Sequence, residues 1–136
     1  MASRRILLTS VAIVMVTLAA RAQGGGQRPV WVLLGQRVDT DRADHDTITV
    51  TAAKGTFRAV RFEVAGHAVD FHRVVIHFRN GADQTVQMRN TIPAGGQSRD
   101  IDVEGTDRVI RSIDFWYDAK TIGRGGKATV RAMGRE

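Results

Sequence analysis

Eight short runs of alternating or wholly apolar residues, each closed by turn formers, give this chain the material for sheets and little else. "VWVLL" (30–34) is apolar throughout and suits a buried strand. "TITVT" (47–51) sets Ile48 and Val50 among threonines, and "FRAVRFEV" (57–64) sets Val60, Phe62 and Val64 against Arg61 and Glu63. In "AVDFHRVVIHF" (68–78), Val69 and Phe71 keep one phase and Val74, Ile76 and Phe78 the other. The apolar face therefore slips by one residue at His72-Arg73, the mark of a bulge or bend. "TVQMR" (85–89), "RDIDV" (99–103), "VIRSIDFWY" (109–117) and "ATVRAM" (128–133) complete the set. Lys54-Gly55, Asn80-Gly81 and Glu104-Gly105 fit hairpin connections, and Pro93-Ala94-Gly95-Gly96 fits a longer loop. Beyond the first residues, no window of a dozen carries an apolar stripe at helical spacing. The expected fold is an antiparallel β-sandwich of about eight strands, jelly-roll or immunoglobulin-like.

The N-terminus reads differently. Arg4 and Arg5 precede an apolar run from Ile6 to Ala20, and Ala20-Arg21-Ala22 supplies small residues in an A-x-A arrangement. This is the layout of a secretory signal peptide, cleaved before Gln23. A spanning helix needs roughly 20 apolar residues, and this run stops short at Arg21. The expected organisation is a signal peptide at 1–22, a flexible lead-in at 23–29 around Gly24-Gly25-Gly26, and a single domain at 30–136. Without Arg4, Arg5 and Arg21, the 20 basic residues fall to 17 against 14 acidic ones, a formal charge of +3. So mild an excess, on an exported chain, points away from nucleic acid. The chain has no cysteine, so the domain has no disulfides and must stand on its apolar core.

Four segments bear on chemistry. "DTDRADHD" (39–46) holds Asp39, Asp41, Asp44 and Asp46, and clustered aspartates are calcium ligands when six to eight oxygens converge. The spacing does not fit a helical calcium loop, and Arg42 and His45 offset the charge, so the preferred reading is turn-shaping bonds to local backbone N–H groups. No cofactor is expected. His67, His72 and His77, with His45, are a second metal candidate. On a regular strand His72 and His77 face opposite sides, and they share a face only if the bulge re-phases them. "GRGGK" (123–127) is glycine-rich and basic but lacks the Walker spacing, and it reads as a connection. Outside the signal the only serines are Ser98 and Ser112, neither in a G-x-S-x-G elbow.

The fourth segment is "SIDFWYD" (112–118). Alternation turns Ile113, Phe115 and Tyr117 to one side and Asp114, Trp116 and Asp118 to the other. A tryptophan on the acidic side, outside the core, marks a ligand face. In sugar-binding sheets an aromatic face stacks on C–H groups while flanking carboxylates accept hydroxyl bonds. Trp116, Asp114 and Asp118 are therefore the expected ligand-binding residues.

Several segments, taken in order, resemble a family of small exported bacterial proteins known as a domain of unknown function. They are "LLG" (33–35), "FRAVRFEV" (57–64), "VVIHFRNG" (74–81), "IPAGGQSRDIDV" (92–103), "IRSIDFWYDA" (110–119) and "ATVRAMGR" (128–135). The resemblance implies a signal peptide followed by an all-β domain, and it implies no activity. The functional expectation is a non-enzymatic binding module of the periplasm or cell envelope. Its partners would be an envelope glycan, a lipid headgroup or an envelope protein, and it would not span the membrane once processed. The alternatives are a structural envelope or stress protein and a hydrolase using paired carboxylates.

Overall fold

Strands run where the alternation places them. The computed structural model describes residues 28–51, 54–105 and 107–136, so the expected signal peptide and the Gly24–Gly26 lead-in lie outside the described residues. The elements are β1 (Trp31–Asp39), β2 (His45–Thr49), β3 (Ala59–Ala65), β4 (Val69–Phe78), β5 (Asp83–Ile92), β6 (Ile101–Asp102), β7 (Ile110–Asp118), a one-turn helix α1 (Ala119–Ile122) and β8 (Ala128–Arg135). They form two four-stranded antiparallel sheets, ordered β1-β8-β3-β6 and β2-β7-β4-β5.

The pairings β4 with β5, β3 with β6, β2 with β7 and β1 with β8 are nested. They describe one long hairpin rolled into two layers, the jelly-roll arrangement. Its tip is Asn80-Gly81. Gly81 takes φ +94°, and the Asn80 side-chain oxygen accepts the Ala82 N–H at 3.0 Å. The other two expected hairpins are corrected. Lys54-Gly55 joins β2 to β3 and Glu104-Gly105 joins β6 to β7, and in both places the chain crosses from one sheet to the other. A turn-forming dipeptide specifies that the chain reverses locally, and leaves open which strands then pair.

The inner faces close on a dry core. Phe62, Phe71, Phe115 and Tyr117 pack with ring centroids 5.5 to 6.1 Å apart, among buried Ile48, Ile76, Ile101, Ile113 and Val130. Tilted contacts at this spacing suit the quadrupoles of the rings. Gly134 lets β8 approach Phe57 closely, because a Cβ there would sit 2.6 Å from the ring. At one sheet edge, buried Gln84 donates to the Asp102 carbonyl (2.9 Å) and accepts from the Glu104 N–H (2.8 Å), tying β5 in one layer to β6 in the other.

The bulge lies where the phase slip puts it. Registers with both β5 and β7 shift between Phe71 and Arg73, and His72 and Arg73 are both exposed. Arg89 on β5, opposite the bulge, takes φ +46°.

Candidate functional site

The outer face of the β2-β7-β4-β5 sheet carries a row of interacting polar side chains. Strand β7 runs down its middle. Alternation directs Ser112, Asp114, Trp116 and Asp118 outward, while Ile113, Phe115 and Tyr117 are buried. Trp116 is half-buried and pairs with His45 on β2 and Arg73 on β4. The His45 ring stacks on the indole at 4.5 Å with a 19° tilt, and the Arg73 guanidinium lies 3.9 Å from the ring centroid. These partners come from strands on opposite sides of β7, so the two π-faces of Trp116 are both taken. The cation–π contact of Arg73 stabilises by about 0.5–1 kcal/mol at an exposed site. A sugar stacked on the indole face would have to displace one of these partners. What Trp116 offers solvent is its edge, with the guanidinium beside it. Among the described residues, Arg73 has no hydrogen bond or ion pair to its N–H groups.

One step along β7, Asp114 anchors a ladder. Its carboxylate accepts from the Thr47 hydroxyl, meets His77 Nε2 at 2.7 Å and lies 3.4 Å from His45 Nε2. His77 Nδ1 meets Asp83 at 2.7 Å. Both imidazole nitrogens thus face carboxylates, an arrangement that favours the imidazolium. Burial works against that charge, but the bonds to Asp114 and Asp83 outweigh it and hold the His77 pKa above its usual value. Asp114 shifts the other way. Burial would raise its pKa, and the bonds from Thr47, His77 and His45 bring it below the ordinary carboxylate value.

At the end of the face, Asp118 caps α1 by accepting the Lys120 N–H at 2.9 Å. Asp44, His72, Trp116, Tyr117, Asp118 and Lys120 line a shallow cleft there. The bulge re-phases β4 beyond His72, so His72 and His77 share a face. They have separate partners: Asp70 for His72, and Asp114 and Asp83 for His77. His67 lies in the turn between β3 and β4.

The four aspartates of the first loop do not converge on one point among the described residues. Asp46 accepts the Thr47 N–H (2.8 Å) and pairs with Arg37 at 3.0 Å. Asp44 accepts the Ala119 N–H, and its carbonyl accepts the Tyr117 N–H. Asp41 is exposed and borders a second cleft with Thr40, Arg42 and the basic connection Arg124–Lys127. Asp39 points into the sandwich and is 1% exposed. Neither of its oxygens has a donor among the described residues. Burial, reinforced by neighbouring Asp46 and only partly opposed by Arg37, pushes its pKa from 3.8 to about 8. Asp46 supplies an acceptor, so the pair is satisfied when Asp39 keeps its proton and donates it. Buried Tyr117 is likewise pushed up, by desolvation and then by the nearby acids.

A family described as a domain of unknown function (DUF2541) matches residues 7–134, nearly the whole chain. The chain belongs to this family. No curated protein matches it in sequence. Among solved structures, this DUF2541 domain is similar to AlgX of Pseudomonas aeruginosa, with a TM-score of 0.50 and 12% identity over 82% of this chain. It spans 28% of the AlgX chain. It is also similar to the SPBc2 prophage-derived protein YomS (TM-score 0.40, 12% identity, 80% of this chain and 94% of that one). A mutant of the carbohydrate-binding module CBM29-2 complexed with cellulohexaose aligns at TM-score 0.42 and 15% identity, over 81% of this chain and 93% of that one. At such identities the likeness to AlgX is one of fold.

In this DUF2541 domain the sequence reading missed Arg73, Asp70, Asp83 and Thr47 as parts of the face. The signal was present for Arg73, since a phase slip at His72-Arg73 turns both residues outward. For the others, only strand register shows which neighbours they meet.

Proposed function

We propose that this chain is an exported, non-enzymatic jelly-roll module that binds an envelope glycan on the outer face of the β2-β7-β4-β5 sheet. The observation that carries the reading is the row His45–Trp116–Arg73. It fixes a half-exposed indole edge beside a guanidinium with unused donors, and carboxylates follow on either side along β7. Side chains locked by their neighbours lose little entropy when a ligand arrives. A sugar would meet the indole edge, receive hydrogen bonds from Arg73 and donate hydroxyls to Asp118. Export rests on the basic, apolar and small-residue layout of residues 1–22, and an N-terminus read at Gln23 in the exported protein tests it. One starting at Met1 would refute it.

Co-sedimentation with isolated cell-envelope material tests the binding. Trp116→Ala is expected to fold and to lose retention. The truncation should cost well under the roughly 3–5 kcal/mol of a core tryptophan, because the ring lies outside the core. A folded variant with unchanged retention would refute the glycan reading. A variant that unfolds would show that the row serves stability, the role of a purely structural protein.

A further inference from the structure

We infer that Asp70, His72 and Asp118 form a binding site for a divalent transition metal ion, zinc being the ion that suits the donors best. Asp70 and Asp118 stand directly opposite each other on β4 and β7. Like charges in directly paired positions destabilise a sheet unless a cation lies between them. His72 lies two residues from Asp70 on β4, so alternation brings its ring to the same outer face beside this pair. One ligand atom from each of the three residues lies within 4.8 Å of the others, and His72 Nε2 is 3.8 Å from the nearer Asp70 oxygen.

A tetrahedral zinc with bonds of about 2.0–2.2 Å holds its ligand atoms roughly 3.3–3.6 Å apart. Closing the triangle therefore needs only small side-chain rotations. The side chains are free enough to make them, His72 being 56% exposed and Asp70 32%. Asp118 spends one oxygen on the helix cap and keeps the other. The open side of the cleft leaves room for water as a fourth ligand. One imidazole with two carboxylates is a borderline donor set that suits zinc. Calcium would want six to eight oxygens. The other imidazole cluster is already closed, because both His77 nitrogens are committed to carboxylates.

The site shares Asp118 with the glycan reading, and zinc alone as the probe keeps the two tests separate. Isothermal titration of the folded protein with zinc chloride is expected to show one ion per chain, and cobalt(II) in its place should give visible absorption from the imidazole–carboxylate site. His72→Ala and Asp70→Asn should each weaken binding by at least about tenfold. Asp118→Asn keeps a helix cap and should weaken it too. His77→Gln should leave it unchanged. Wild-type protein that takes up no zinc at millimolar concentration would overturn the proposal. So would binding that His72→Ala leaves intact, since an exposed histidine is dispensable for folding.

Discussion

Trp116 and Asp39 are the two residues whose positions look wrong for their chemistry, an indole on the outside and a carboxyl on the inside. Alternation along "SIDFWYD" was enough to place Trp116 outward. It was not enough to show that both ring faces are occupied, because His45 and Arg73 arrive from strands far away in sequence. Asp39 was visible only as one aspartate of an acidic loop. Its inward turn follows from a bulge in β1 between Leu33 and Gly35, which re-phases the strand so that Asp39, opposite buried Ala128 on β8, faces the core. The consequence is a stability that depends on pH. The folded state keeps the Asp39 proton up to about pH 8, while an unfolded chain releases it near 3.8. Stability from this group is therefore fully present below the lower value and is lost as pH rises to the upper one. Asp39→Asn removes the titration and keeps the shape. Denaturant melts should find the variant more stable than wild type at pH 8, by a few kcal/mol at most, with the gap closing toward pH 5. A gap independent of pH, or a variant less stable at pH 8, would contradict the shared-proton arrangement. The pH responses of His77 and Asp114 are common to both proteins and cancel in the comparison.

At the scale of elements, strands with one buried face were legible and short connectors were not. β4 shows both sides of this. Its phase slip revealed the bulge, because a one-residue offset moves apolar side chains to the wrong face unless the backbone absorbs it. The sequence left unsaid what the bulge does, which is to set His72 and Arg73 side by side on the outer face of the sheet. The single turn of α1 escaped notice because four residues, "AKTI", are too few to carry a helical stripe. Its start depends on Asp118 as a cap, a role hidden while Asp118 read only as the outward end of a strand. β6 shrinks to two residues, since Arg99 and Asp100 serve as an approach to the strand and form no part of its ladder.

For the molecule as a whole, the eight strands and two layers follow from the pattern of runs and turns, while the nested pairing does not. Pairing is decided by which apolar faces fill one another across the core, and a single sequence states that only implicitly. The nesting is also what makes the site, because it carries β2, β7 and β4 side by side and so brings residues 45, 73 and 116 into one row. On the glycan reading this face meets the ligand, and not the other sheet, where Arg61 and Arg135 lie over the Trp31 ring. Amide chemical shifts, recorded by NMR while soluble envelope glycan fragments are added to the protein, decide between the two faces. Shifts should concentrate at His45, Arg73, Trp116 and Asp118. Shifts gathered on β1 and β8 around Trp31, or none at saturating fragment, would contradict the glycan reading.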